Sequence, residues 1–332
     1  MILITGGAGY IGSHCVKRLN QDGRETVTFD NLSEGHRDAV KGKLVVGDLG
    51  NPEDLEKLFA EHPIDAILHF AAHCYVGESV ENPEKYFRNN VANTLNLLSA
   101  ARKAGVKRII FSSTAATYGV PTEMPIPESH PQAPINPYGR TKLVVEQMLD
   151  AFDHAYGMKY VCLRYFNAAG ADPDGEIGED HDPETHLLPI AMRAALGIGP
   201  GLKIFGTDYD TPDGTCIRDY IHIVDLADAH VRALDYLADG GESTAFNLGN
   251  ERGYSIREVL DTIEEVGGKP VPAEEAPRRP GDPPTLVASS GRAREVLGWE
   301  PKFGDLRSIV ETAWRWHESH PDGYGDRTRE SL

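Results

Sequence analysis

Met1-Ile-Leu-Ile-Thr5-Gly6-Gly7-Ala8-Gly9-Tyr10-Ile11-Gly12 opens the chain, and its reading decides the fold. The apolar run at residues 2–4 has the pattern of a buried strand. Gly6, Gly9 and Gly12 then make a turn into a helix expected at residues 13–20. A glycine turn that feeds a helix N-terminus is an anion site. Backbone N–H groups point at the ligand, the helix dipole favours negative charge, and the missing Cβ atoms admit a pyrophosphate. Three glycines alone make only a turn. Here strand and helix flank them, and Asp30 closes the next strand, Glu25-Thr26-Val27-Thr28-Phe29. That is about the twenty-residue offset of a carboxylate that grips an adenosine ribose. The stretch predicts a dinucleotide site, and Asp30 would repel a 2′-phosphate, so NAD is expected rather than NADP.

The chain has 332 residues, enough for one large domain or two lobes, and 40% hydrophobic residues supply the core. A net charge of −18 argues against nucleic acid or an anionic membrane as partner. Cys15, Cys74, Cys162 and Cys216 are widely spaced, with neither a zinc pattern nor a disulfide framework, so no metal is expected. No basic leader precedes the first strand and no apolar run reaches membrane-spanning length, so a cytoplasmic, reduced protein is expected.

Strands and helices alternate from the start, which reads as α/β with a doubly wound parallel (Rossmann) sheet. Further strands are expected at residues 43–46, 66–72, 108–113 and 160–166, with helices at 52–61, 86–104 and 138–155. After Phe70 the fourth strand runs into Ala71 and Ala72, small residues that leave room for a cofactor. Composition changes at Asn167, where Gly, Asp and Pro at residues 168–184 read as a loop leaving the sheet, with acids around 179–182. Residues 1–167 are therefore expected to form the cofactor domain. Residues 168–332 would form a smaller, mixed α/β substrate lobe, with segments near 221–248 returning to the first domain.

Tyr138 and Lys142 are four apart on an expected helix and so share a face. A lysine cation beside a phenol, helped by a positively charged nicotinamide, lowers a tyrosine pKa from about 10 and makes it a general base. Thr114, after Ser112 and Ser113 at a strand's carboxyl end, offers a hydroxyl to relay the proton.

Together, Thr5-Gly-Gly-Ala-Gly-Tyr-Ile-Gly12, Ser112-Ser-Thr114 and Tyr138-Gly-Arg-Thr-Lys142 resemble the extended short-chain dehydrogenase/reductases. Val76-Gly-Glu-Ser79, Arg164-Tyr-Phe-Asn-Ala-Ala-Gly170, the block at residues 206–222, Ala276-Pro-Arg-Arg-Pro-Gly-Asp282 and Trp314-Arg-Trp316 narrow the resemblance to the UDP-glucose 4-epimerases. The resemblance implies a tightly held NAD that is reduced and reoxidised within each turnover. It also implies that Tyr138, assisted by Thr114, takes the proton of the sugar's 4-hydroxyl, while Lys142 tunes Tyr138 and binds the nicotinamide ribose. By position, Gly6, Gly9, Tyr10, Ile11, Gly12, Asp30, Asn31, Asp48, Leu49, Phe70, Ala71, Ala72, Asn89 and Phe166 would contact NAD. Asn167, His186, Leu187, Lys203, Ile204, Phe205, Arg218, Tyr220, Arg279 and Asp282 would surround a UDP-hexose, with the two arginines as forked donors for its pyrophosphate. Leu286 would wall the pocket near the sugar's 2-substituent, a place where the family carries tyrosine or a smaller residue. A homodimer through helices around residues 93–104 and 138–155 is implied as well.

Cys74 stands where the family often has a cofactor-contacting lysine, Thr114 replaces a serine, and His186 replaces an asparagine. A sugar-nucleotide dehydratase would need an Asp-Glu pair after Thr114, where this chain has Ala115-Ala-Thr117. A non-catalytic NAD-binding protein would not need Tyr138, Lys142 and Thr114 together. A 4-epimerase of another UDP-sugar (N-acetylhexosamine, uronic acid or pentose) stays open.

Overall fold

The structure, a computed structural model, describes residues 1–279 and 282–326. The first half runs β1 (Ile2–Thr5), α1 (Tyr10–Gln21), β2 (Thr26–Asp30), β3 (Leu44–Val46), α2 (Pro52–Glu61), β4 (Ala66–His69), α3 (Val76–Glu81), α4 (Pro83–Tyr86), α5 (Asn93–Lys103), β5 (Arg108–Thr114), α6 (Pro137–Tyr156) and β6 (Lys159–Tyr165). The second half adds β7 (Asn167–Ala169), α7 (Leu187–Leu196), β8 (Leu202–Phe205), β9 (Ile217–His222), α8 (Ile223–Ala238), β10 (Thr244–Leu248), β11 (Gly253–Ser255), α9 (Ile256–Gly267), β12 (Ala273–Ala276), β13 (Thr285–Leu286), α10 (Gly291–Leu297) and α11 (Leu306–Ser319).

Seven parallel strands form the main sheet in the order β10-β6-β5-β4-β1-β2-β3. The chain winds outward from β1 to β3 and then returns to the other side of β1, so the order reverses between β1 and β4. A sheet of this kind opens its ligand crevice at that reversal, at the carboxyl ends of the strands. Alternating residues explain the apolar strand runs. Leu3, Ile67 and Ile109 face α2, α5 and α6, whereas Ile4, Leu68 and Ile110 face α1 and α8. Both faces are covered, as parallel sheets require. A separate core of Met192, Ile204, Tyr220, Ile263 and Trp314 joins α7, α9 and α11 to β8 and β9.

The helix expected over residues 86–104 is not one regular helix. Between α4 and α5, Phe87–Ala92 form a π-helical turn. Its buried Asn90 accepts a hydrogen bond from His73 N (2.9 Å) and donates to His73 O (3.0 Å) and Thr141 Oγ1 (3.1 Å). Tying that side chain to two other segments favours the widened turn, a device common near functional sites. The expected loop at 168–184 also begins differently, since β7 pairs with β9 before the chain becomes irregular. Among the described residues, no helix is long and apolar enough to cross a membrane, and the four cysteines are free.

Candidate active site

The glycine turn sits at the sheet's reversal. Gly6 has φ +73°, and a Cβ there would lie 2.5 Å from Ala71 N. A Cβ on Gly12 would lie 2.3 Å from Gly6 O. Both positions therefore accept glycine alone. Gly9 N-caps α1 with no side-chain cap, which leaves the first N–H groups of the helix for a ligand. Asp30 is buried, and its Oδ2 accepts from Ala8 N (2.9 Å) while Oδ1 accepts from Leu32 N (2.8 Å). Burial raises its pKa, against those two hydrogen bonds. Asn31 Nδ2 donates to Asp48 Oδ2 at 2.8 Å, so two expected cofactor residues meet at the end of β2. Leu49 is buried beside them, Phe70 packs on His230 (4.8 Å between rings), and Ala71 and Ala72 follow β4 half-buried. Asn89 lies in the π-helical turn and donates to Asn90 Oδ1 (3.1 Å). Tyr10, from which Ile11 follows into α1, donates to Gly170 O (2.6 Å), and Phe166 directly follows β6.

Tyr138 and Lys142 both lie in α6, where Asn136 caps through Gly139 N (2.8 Å) and Pro137 takes the first turn. Lys142 is buried; its Nζ donates to Ser112 O at 2.8 Å and stands 5.9 Å from the Tyr138 ring centroid. Thr114 ends β5 nearby, its hydroxyl accepting from Ala116 N (3.2 Å). The electrostatics differ from the expectation for Tyr138. Its pKa is raised well above 10, first by burial and then by the Cys74 and Tyr165 side chains, with a Thr114 hydrogen bond opposing the rise. Lys142 instead is lowered to about 8 by burial. Desolvation is the largest cause of both shifts, so in the protein alone the phenol stays protonated.

A charged network holds α6 against the sheet. Arg164, in β6, donates from Nε to Glu146 Oε1 (3.0 Å) and from Nη2 to Glu146 Oε2 (2.6 Å), both partners buried. Ser113 Oγ and Gln132 Nε2 also donate to that carboxylate, and Arg164 Nη1 donates to the Tyr118 hydroxyl (2.9 Å). The sequence reading passed over Glu146; its signal was a carboxylate four residues after Lys142, on the same helical face.

Arg218 and Tyr220, of the residues expected around a UDP-sugar, lie on β9, with Asn167, Asp282 and Leu286 beside it. The strand reading was incomplete here, because residues 206–222 were read as a motif rather than as a strand. β9 is paired by β11, β13 and β7. Arg218 and Tyr220 share a face by strand alternation. Register places Leu286 of β13 beside Arg218, and Asn167 of β7 beside Tyr220. Asn167 Nδ2 donates to Asp219 O at 2.8 Å. Arg218 pairs with Asp282 and donates to Pro283 O (2.9 Å). Arg279 lies 4.1 Å over the Phe205 ring, at the end of the strand that carries Lys203 and Ile204. Pro280 and Gly281, within the Ala276–Asp282 motif, lie outside the described residues. Asp219, on the opposite face of β9, accepts from the backbone N–H groups of Asn250, Glu251 and Ala288, and sequence reasoning missed that role.

His186 ends the loop before α7, with Leu187 as the first helical residue. Its Nδ1 stands 3.0 Å from Glu179 Oε1 and 2.9 Å from Glu184 Oε1. His181 completes a quartet that the sequence reading, with its acidic run and no metal, did not assemble. Burial works to lower the His181 pKa, and the two carboxylates outweigh it and push it up to about 10. His181 also meets the Tyr10 and Tyr75 rings edge-on at 6.4 and 6.3 Å.

Residues 2–249 match the NAD dependent epimerase/dehydratase family. A UDP-glucose 4-epimerase of Streptococcus mutans is 56% identical over 330 residues, covering 98% of this chain and 99% of the relative. The crystal structure of UDP-glucose 4-epimerase from Brucella ovis in complex with NAD superposes with a TM-score of 0.93 at 52% identity, covering 94% of this chain and 97% of that one. The UDP-Glc/GlcNAc 4-epimerase from Campylobacter jejuni gives 0.84 at 44% identity, over 96% and 99%. With its glycine turn at the reversal of a seven-stranded parallel sheet and its Tyr138–Lys142 pair beside it, the chain belongs to the NAD dependent epimerase/dehydratase family.

Proposed function

We propose that the chain is an NAD-dependent isomerase that interconverts UDP-glucose and UDP-galactose by epimerisation at C4. One observation carries the reading: the fold brings Tyr138, Thr114 and Lys142 to the same end of the sheet as the glycine turn. The turn fits NAD on its own geometry, through the uncapped start of α1, a Gly6 position with no room for a side chain, and the buried Asp30 carboxylate. Bound NAD supplies first an acceptor and then a donor for one hydride at the sugar's C4.

The remaining chemistry belongs to the chain's own residues. Tyr138 takes the proton of the 4-hydroxyl, with the Thr114 hydroxyl as relay. The Lys142 cation stabilises the phenolate, and the added positive charge of an oxidised nicotinamide works in the same direction. Arg218 and Arg279 hold the pyrophosphate by forked donors, with Asp282 orienting Arg218. The grip is on the nucleotide, so the flat 4-keto hexose is free to turn over. Tyr138 then returns its proton to the 4-oxygen of the opposite epimer.

The proposed division gives the cofactor to residues 1–167, with segments near 221–248 returning to that domain, and the substrate mainly to residues 168–332. The pairing of β10 with β6 and the packing of α8 on the sheet support it. The proposed assembly is a homodimer through α5 and α6, supported by the exposed apolar Leu95 and Tyr156 on those helices. A cytoplasmic location is proposed with it. A second reading, weaker turnover of UDP-N-acetylhexosamines, rests on Leu286, which is smaller than tyrosine at the expected sugar wall.

The test is to incubate the protein as purified with UDP-galactose and no added NAD, and to resolve the nucleotide sugars. UDP-glucose should accumulate to equilibrium. A 4-keto-6-deoxy product would favour a dehydratase, and unchanged substrate over folded, NAD-loaded protein would overturn the proposal.

A further inference from the structure

We propose that Glu179, His181, Glu184 and His186 form a binding site for one divalent transition-metal ion of the zinc class. The four residues present one ligand atom each, and these atoms lie within 4.8 Å of one another. Their separations are more telling. His186 Nδ1 is 3.0 Å from Glu179 Oε1 and 2.9 Å from Glu184 Oε1, and His181 Nδ1 is 3.4 Å from Glu179 Oε1 and 3.5 Å from Glu184 Oε2. Tetrahedral zinc with nitrogen and oxygen ligands at about 2.0–2.2 Å sets adjacent ligand atoms about 3.3–3.5 Å apart. The four imidazole–carboxylate contacts approach those edges, with Glu184 meeting His186 through Oε1 and His181 through Oε2.

A second observation points the same way. His181 Nδ1 is shut off from solvent and, despite its two carboxylate neighbours, makes no hydrogen bond among the described residues. A buried ring nitrogen aimed between two carboxylates without bonding either is unsatisfied as a polar atom and well placed as a ligand. The charge also balances. With the metal bound, two carboxylates and two neutral imidazoles carry −2, which one dication cancels as it displaces the imidazole protons. Two imidazoles exclude the hard, all-oxygen preference of calcium and magnesium and suit zinc, cobalt or nickel.

All four ligands come from residues 179–186, between β7 and α7. His181 leans on Tyr10 at the start of α1, and Tyr10 bonds Gly170 O. A metal held there would clamp the connection between the two lobes against the glycine turn and fix the first turn of α7. Neither Tyr138 nor Lys142 belongs to the quartet, and its proposed role is to hold this connection in place.

The test uses the full-length, NAD-loaded chain in a Cys74→Ser background, which removes the exposed thiol as a competing ligand. Protein dialysed against zinc and then freed of excess metal should retain one zinc per chain by mass spectrometry. Cobalt(II) titration should give the strong visible bands of a tetrahedral site, displaced by zinc. His181→Gln, which removes a ligand, should weaken zinc binding at least about tenfold. Should that variant fold poorly, the cobalt spectrum of the parent decides alone. Retention of no zinc, weak octahedral cobalt bands, or unchanged affinity in folded His181→Gln would each overturn the site and leave the quartet as a proton-bridged ion-pair cluster.

Discussion

Replacing Arg164 by methionine tests whether the buried network holds the catalytic helix in place. The substitution keeps roughly the volume of the side chain and removes its charge. Glu146 would lose the donors at 3.0 and 2.6 Å and retain only Ser113 and Gln132. Hydrogen bonds to a charged group are each worth about 1.5–3 kcal/mol, and removing one partner of a buried ion pair costs about 3–5 kcal/mol. The two surviving donors keep the expected loss within that second range. With an unfolding entropy of about 2.1 cal/mol/K per residue over 332 residues, the melting temperature should fall by about 4–7 °C in calorimetry. The deficit should shrink as pH falls, because an unpaired buried carboxyl has a raised pKa and binds its proton more tightly folded than unfolded. Arg164→Met/Glu146→Gln should recover most of the loss, since it leaves no buried charge. A single variant that melts within about 1 °C of the parent, or a double variant no more stable than the single, would refute the argument.

Three further outcomes concern the chemistry. Tyr138→Phe should keep its NAD and lose about 10²–10⁴-fold in turnover, and near-normal epimerisation would end the proposed role. Burial lowers Lys142 to about 8, so the cation that supports the phenolate disappears as pH rises through that value. The rate of NAD-loaded protein on saturating UDP-galactose should therefore decline above about pH 8, and a rate still climbing at pH 10 would contradict it. Leu286→Tyr should suppress any reaction on UDP-N-acetylglucosamine relative to UDP-glucose. The acetamido group would then meet overpacking of about 1–3 kcal/mol, or roughly ten- to a hundredfold in selectivity. An unchanged ratio of the two rates would show that Leu286 does not gate the pocket.

The parts of the fold legible in the sequence were those written in local pattern. β1, the glycine turn and Asp30 lie within thirty residues, and β1 carries its apolar run in one piece. β9 was hidden because its Arg218 and Asp219 look like solvated charges until Asp282, Asn250 and Ala288 arrive from far along the chain. The π-helical turn was hidden because residues 86–104 keep a helical composition; only the bonds from Asn90 to His73 and Thr141 reveal it. The rise of the Tyr138 pKa in the protein alone was not legible, because an i, i+4 spacing shows a neighbouring cation and not the depth of burial. The quartet had a readable signal, Glu179-x-His181-x-x-Glu184-x-His186, which an acidic composition masked.

The strand at the end of the main sheet has a consequence for how the molecule is made. β10 covers β6 and sends the fully buried Phe246 into the core beneath α8. During synthesis, every residue of the nucleotide-binding half through β6 leaves the ribosome before that cover exists. Until residues 244–248 follow, β6 presents an open edge of unpaired N–H and C=O groups beside exposed apolar surface, the kind of surface on which strands of different chains join. Closure depends on a pairing some eighty residues apart in sequence, a non-local contact of the kind that forms slowly. A fragment ending at residue 167 therefore carries the complete glycine turn and yet is prone to aggregate, so the smallest self-sufficient unit of this protein extends past Leu248.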